Sequence, residues 1–203
     1  MSTIVRRVRA DEWKLARDLR LEALRDPAAP MAFLETFEQS ATRPDEFWMD
    51  RAERSASGGR INQLLALLPG ADETSAPATL DEVAGTVTVR ILEPGDLDGQ
   101  GRGTTTRRAL LVAVYVRPAH RGAGVLDALI AEAAQWCSDQ GLAELYLGVH
   151  ADNARAKGAY RRAGFTPIGE PWVGVIGTEV DMVLAVPDGR RMRANSGLST
   201  SDA

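Results

Sequence analysis

Two stretches of this 203-residue chain hold glycines and polar side chains at spacings that suit chemistry. The first runs Val114-Tyr115-Val116-Arg117-Pro118-Ala119-His120-Arg121-Gly122-Ala123-Gly124-Val125-Leu126. A β-branched strand meets Pro118, a basic residue and two glycines follow, and an amphipathic pattern of helical period begins at about residue 122. Backbone N–H groups at a helix start have no partner inside the helix, and glycines let another molecule approach them closely. The helix dipole adds about 0.3–1 kcal/mol per interaction with an anion. Arg121, Gly122, Ala123, Gly124, Val125 and Leu126 are therefore candidate donors to a phosphate or pyrophosphate. The same residues can also form a tight strand-to-helix turn that binds nothing. The second stretch runs Asn153-Ala154-Arg155-Ala156-Lys157-Gly158-Ala159-Tyr160-Arg161-Arg162-Ala163-Gly164-Phe165. Asn153 and Tyr160 are about two helical turns apart and share a face, with small Ala156 between them. Tyr160 suits either proton donation or aromatic packing, and Asn153 suits either a helix cap or a ligand contact.

Composition narrows the class. The length fits one domain with extensions, and a 44% hydrophobic content supplies a core. A net charge of −4 predicts no general attraction to nucleic acid or to an anionic membrane. The pairs Arg6-Arg7, Arg107-Arg108, Arg161-Arg162 and Arg190-Arg191 read as solvated surface. A single cysteine, Cys137, forbids an intrachain disulfide and suits a reducing compartment. With two histidines and that cysteine, no metal site is expected. No apolar run approaches about 18 residues, so a cytoplasmic protein is expected.

The elements that would position these residues follow from periodicity. Strands are expected at 3–8, 61–68, 83–92, 109–116, 143–149, 165–169 and 178–186. Helices are expected at 11–25, 31–39, 44–57, from about 122 to 140, and 153–163. The strand at 109–116 is nearly all apolar, as for a strand buried on both faces. Leu126, Leu129, Ile130, Ala133 and Cys137 share one helix face, and Gly141 suits its C-terminal cap. Residues 93–106 read as a mobile Gly-rich hairpin, residues 69–81 and Pro171–Gly177 as loops, and residues after about 187 as a disordered tail. The expectation is one α/β (α+β) domain over residues 1–186.

The two motifs together resemble the GNAT superfamily of acyl-CoA-dependent N-acyltransferases. Val116-Arg117-Pro118 followed by Arg121-Gly122-Ala123-Gly124 is similar to that family's phosphate loop. Asn153, Tyr160 and Gly164-Phe165 are similar to its second signature. The run Leu21-Glu22-Ala23-Leu24-Arg25 looks like its first helix. Leu126 departs from the pattern, standing where the family has glycine or alanine. The resemblance implies a mixed, mostly antiparallel sheet of about seven strands with a V-shaped splay, flanked by helices. It implies acetyl-CoA as cosubstrate, with pantetheine beside main-chain groups of Val114 and Val116 and pyrophosphate over residues 121–126. It also implies direct attack by a primary amine, with Asn153 and Tyr160 near the cofactor and Tyr160 as the acid that returns a proton to sulfur. The acceptor, a small molecule or peptide, would enter between residues 27–40 and the Pro171–Gly177 loop. A homodimer is compatible with the family.

A lysine-type amine at pH 7 costs about 4–5 kcal/mol to deprotonate, so that acceptor needs a base. Glu93, Glu35, Glu38 and His150 are weak candidates. His120 reads as solvent-facing and Cys137 as core. A non-catalytic acyl-CoA-binding regulatory module is the alternative. A nucleotide fold fits poorly, because the turn lacks Gly-Lys-Ser/Thr and Asp127 replaces a third glycine.

Overall fold

The computed structural model describes residues 3–70 and 78–186. The expected tail from 187 and most of the loop expected at 69–81 lie outside the described residues. Seven strands form one sheet: β1 (Ile4–Arg7), β2 (Ile61–Leu67), β3 (Val83–Leu92), β4 (Arg108–Val116), β5 (Glu144–His150), β6 (Thr166–Gly174) and β7 (Gly177–Ala185). Their order is β1-β2-β3-β4-β5-β7-β6. Every neighbouring pair is antiparallel except β4 and β5, which run parallel. The helices are α1 (Trp13–Leu24), α2 (Phe37–Ala41), α3 (Asp45–Ala56), α4 (Val125–Asp139) and α5 (Ala154–Arg162).

Strand alternation divides the core into two layers. Leu64 and Ala66 of β2 join Leu129, Ile130, Ala133 and Cys137 of α4 on one face. Leu65 and Leu67 join Leu15, Ala16, Leu19 and Ala23 of α1 on the other. α4 ends as its glycine suggests: the Leu142 and Gly141 N–H groups donate to the Cys137 and Ser138 carbonyls, both at 2.9 Å. α5 closes the same way, with Phe165 N–H on the Tyr160 carbonyl at 3.0 Å, which fixes Tyr160 against the core.

Five local expectations change. No helix spans 31–39; a short 3₁₀ turn at Ala29–Met31 precedes α2. α2 starts after Thr36, whose hydroxyl and the Gln39 side chain cap each other's N–H groups. α4 begins at Val125 rather than 122, because Gly122 and Gly124 hold φ of 78° and 79°, outside the helical region. The Pro171–Gly177 loop is mostly strand, and β6 runs to Gly174. β4 is only half-buried at Val112, Ala113 and Val114, because it carries a bulge. Thr88 faces Val112 but Thr86 faces Tyr115, so two residues of β4 oppose the single Val87. Ala113 takes φ of 52° there, the one non-glycine positive φ among the described residues. β4 then diverges from β5, pairing with it only at Ala109–Leu145 and Leu110–Tyr146.

The connection from β3 to β4 is tied down rather than mobile. Arg102 donates to Asp98 at 2.8 Å and to Asp181 at 2.7 Å, and stacks 3.8 Å from the Trp172 ring. Gln100 donates to Glu179 at 3.3 Å.

Near the N-terminus, buried Glu12 is a junction. Its carboxylate accepts from Arg6 at 2.8 Å, from the Arg9 N–H at 2.8 Å and from the Ala78 N–H at 2.9 Å. Burial alone would raise its pKa, but these donors outweigh it and hold the carboxyl below its ordinary range. A depressed folded-state pKa means the stabilisation is complete above about pH 4.3 and is lost as pH falls through the lower folded value. Glu12→Gln should therefore cost about 3 kcal/mol at neutral pH and flatten the fall in stability below about pH 4.3. Urea titrations across pH check both, and an unchanged acid profile would remove Glu12 from this role.

Candidate active site

The divergence of β4 from β5 opens a cleft of about 1060 Å³. At one end lies the start of α4. The Gly122–Asp127 N–H groups bond no acceptor among the described residues, and the first helical bond there runs from Ala128 N–H to the Gly124 carbonyl at 3.0 Å. Gly122, Gly124, Leu126, Asn153, Ala156 and Tyr160 all border this end. Leu126 borders the cleft while packing partly against the α4-side core, and its N–H has no acceptor among the described residues. Val125 is fully inside that core.

Two carboxylates, one on the last turn of α1 and one just past its end, hold the loop. Glu22 accepts a forked pair from Arg117, at 2.8 and 2.7 Å, and a third bond from the Tyr115 hydroxyl at 3.0 Å. The Arg117 bonds, helped by the Tyr115 hydroxyl, outweigh the upward push of burial and hold the Glu22 carboxyl below its ordinary range. Asp26 takes the Arg121 guanidinium, whose Nε also donates to the Val116 carbonyl at 2.8 Å. The Arg121 N–H turns back to Pro118 at 3.4 Å. Arg121 therefore spends both its side chain and its N–H inside the loop, and the Val116 carbonyl has a partner. Val114 lies on the stretch of β4 that β5 has left.

Asn153 and Tyr160 come together with this loop. The Asn153 side chain caps α5 by accepting from Ala156 N–H at 3.0 Å, and it borders the cleft as well. The Tyr160 ring packs edge-on against Phe165 at 5.8 Å. Its hydroxyl has no hydrogen-bond partner among the described residues and borders the cleft. Burial drives its pKa well above the ordinary phenol value, so it stays protonated at neutral pH. Such a group can donate a hydrogen bond or a proton to a developing anion.

The sequence candidates for a base separate. Glu93 pairs with Arg107 at 3.1 Å away from the cleft. Glu38 is exposed on α2 and does not border it. Glu35 borders it but is shared between Arg43 at 2.9 Å and Arg20 at 3.6 Å. His150 borders it, with Nδ1 accepting from the Asp152 N–H at 3.1 Å. His120 also borders the cleft, half-buried rather than facing solvent. Cys137 is buried in the core, where burial pushes its thiol up to about 12.

Sequence reasoning missed Glu179. It sits on β7 opposite His150, is 4% exposed, and borders the cleft. One carboxylate oxygen accepts from Gln100, and the other lies against Gly148, where a Cβ would stand 3.1 Å away. Burial raises its pKa, with Asp181 adding to the shift and His150 opposing it. Period-two alternation across 179 and 181 was the available signal, but only the β5–β7 register shows that these acids face the cleft. Among the described residues there is no cluster able to hold a metal ion, and no helix is long and apolar enough to cross a membrane.

Comparison with known proteins follows the geometry. The Acetyltransferase (GNAT) family model matches residues 33–165. PaiA N-acetyltransferase from Thermoplasma acidophilum, solved with coenzyme A, superposes with a TM-score of 0.65 at 18% identity, over 91% of this chain and 99% of that one. An acetyltransferase of GNAT family from Streptococcus pneumoniae gives 0.65 at 18% identity, over 92% and 100%. YncA, a putative acetyltransferase from Salmonella typhimurium solved with acetyl-CoA, gives 0.64 at 18% identity, over 100% and 99%. These likenesses show the fold. No curated protein matches the chain by sequence. With the family model covering well over half its length, the chain belongs to the acetyltransferase (GNAT) family and is an acyltransferase that uses acetyl-CoA as cosubstrate.

Proposed function

We propose that this chain is an N-acetyltransferase that moves the acetyl group of acetyl-CoA to a primary amine by direct attack on the thioester. The observation that carries the reading is the run of six N–H groups, Gly122 to Asp127, without acceptors among the described residues, beside a strand edge that has lost its neighbour. The free donors suit the diphosphate of coenzyme A. They begin one residue later than the sequence suggests, since the Arg121 N–H is used in its own turn. The open edge of β4 near Val114 suits the pantetheine amides. Asn153 and Ala156 form the wall opposite.

Tyr160 serves as hydrogen-bond donor to the departing sulfur and returns its proton. Glu179 serves as the base that draws the proton from the acceptor ammonium, with Gln100 orienting its carboxylate. Its raised pKa moves the base toward the operating pH, where proton transfer is more effective. A carboxylate in that place also offsets part of the cost of presenting a neutral amine. The non-catalytic alternative has no use for a buried phenol and a buried acid on the same cleft.

A side chain at Gly124 meets the φ of 79° as strain, so Gly124→Val should weaken acetyl-CoA binding at least tenfold, about 1.4 kcal/mol; equal calorimetric affinity contradicts the loop assignment. Tyr160→Phe should lower kcat about 100-fold while KM for acetyl-CoA stays within threefold. An unaltered turnover removes Tyr160 from the chemistry. Glu179 acts when deprotonated, so activity should rise with pH through a limb set above the usual carboxylate range. Glu179→Gln should abolish that limb and lower kcat about 100-fold or more. Persistence of the limb in the variant assigns it to another group.

A further inference from the structure

The opposite end of the cleft is unusually rich in arginine. Arg20 of α1, Arg51 of α3, Arg90 of β3 and Arg108 of β4 all border it. Their strand positions share the face of Thr88 and Val112, beneath α1 and α3. Counter-charges are few. Glu35 is divided between Arg20 and the more exposed Arg43. Asp98 is held by Arg102 at 2.8 Å and reaches Arg108 only at 4.0 Å. Arg51 and Arg90 form no ion pair and no hydrogen bond among the described residues.

The donors themselves are unfilled. Nε and Nη1 of Arg20 and Nε of Arg108 are buried without a hydrogen-bond partner among the described residues. The Arg20 side chain is 13% exposed, and its guanidinium carbon lies over the Phe33 ring, 4.4 Å from the centroid. Burial first, then the charge of Arg51, pushes Arg20 down to about 10. Burial lowers Arg51 too; the charge of Glu35 opposes this in part, and Arg54 and Arg90 add repulsion. Buried guanidinium donors left without acceptors destabilise a fold by the full desolvation of each group. Those three atoms are closed off from the cleft and mark the cost of the cluster; Arg51 and Arg90, which border the cleft with no bond of their own among the described residues, are what it offers a ligand.

We propose that this arginine surface receives an oxyanion carried by the acceptor, so that the substrate is an amine that also bears a carboxylate or a phosphonate. The inference rests on the acetyl-transfer reading and names the acceptor class for the same cleft. Planar guanidinium forks match carboxylate and phosphonate oxygens in pairs. Glu179, on β7 across the cleft, then faces the ammonium end. The charge layout suits a zwitterion: positive under α1 and α3, negative on β7.

The test uses the full chain, acetyl-CoA and matched acceptor pairs. The pairs are α-, β- and γ-amino acids and aminoalkylphosphonates, each set against the amine lacking its acid group, with spermidine as a purely cationic control. Thiol release should favour the acid-bearing member by at least tenfold in kcat/KM. Arg51→Met should cut that preference to below threefold, and Arg51→Lys should restore part of it. Since Met removes an uncompensated charge, the melting temperature without acceptor should hold or rise by about 2–4 °C; a merely structural arginine would lower it. Carboxylate and phosphonate arms of the panel tell the two oxyanions apart. Equal or better use of the acid-free amines, with acetyl-CoA still bound, overturns the inference and leaves the acetyltransferase reading intact. Loss of affinity for acetyl-CoA but not for dephospho-CoA in Arg51→Met also overturns it, because the anion is then the coenzyme's own phosphate. Absence of any heat with acetyl-CoA in the unaltered protein removes the reading beneath both.

Discussion

Everything functional in this molecule depends on the extra residue in β4. Strands β4 and β5 run parallel and start as neighbours, and nothing in their apolar content would keep them from pairing to the end. The positive φ of Ala113 costs about 1–2 kcal/mol, and the β3 ladder on either side of it enforces the conformation. The result is a sheet whose left half, β1 to β4, and right half, β5 to β7, share a short hinge of two residue pairs. The gap exposes main chain without exposing a hydrophobic face, because α4 and α5 still cover the core behind it.

The glycine loop at the start of α4 would be a poor anion site if it wandered. It is held by electrostatics rather than by packing. Glu22 on the last turn of α1 and Asp26 just past its end take Arg117 and Arg121, four apart on the loop. The forked Arg117–Glu22 geometry belongs to the stronger kind of ion pair. One consequence is that Arg121, the basic residue nearest the free donors, works as a strut. The positive potential at the loop then comes mainly from the backbone and the helix terminus. Leu126 is tolerated for the same reason: backbone donors do not depend on the side chain that follows them.

Much of this was legible in the sequence because it is local. The strand-to-helix glycines, the Asn153–Tyr160 spacing and the glycine C-caps of α4 and α5 are each fixed by residues a few positions apart. What failed was set at a distance. The bulge at Ala113 exists only in register with Val87, so an all-apolar stretch looked like a strand buried on both sides. β6 continues through Pro167 and Pro171 because it is an edge strand, where a missing N–H can face away from the sheet. Residues 93–106 looked mobile by composition, and no local rule shows that Arg102 will bridge Asp98 to Asp181. Thr36 and Gln39 did carry a local signal for the start of α2, a reciprocal cap that was overlooked. The arginine surface was invisible, since Arg20 and Arg51 sit on different helices and each alone reads as an ordinary solvent-facing position.

The hairpin between β3 and β4 has a further meaning for how such a protein changes over time. It touches β7 through Gln100 and Arg102, at the end of the cleft assigned to the acceptor in the proposed reading, and contributes no residue to the glycine loop. Insertions, deletions and exchanges there can reshape what enters the cleft while the grip on coenzyme A stays as it is. On the proposed reading, changes in this one short segment can adjust how the acceptor enters, provided a donor such as Gln100 is kept for Glu179.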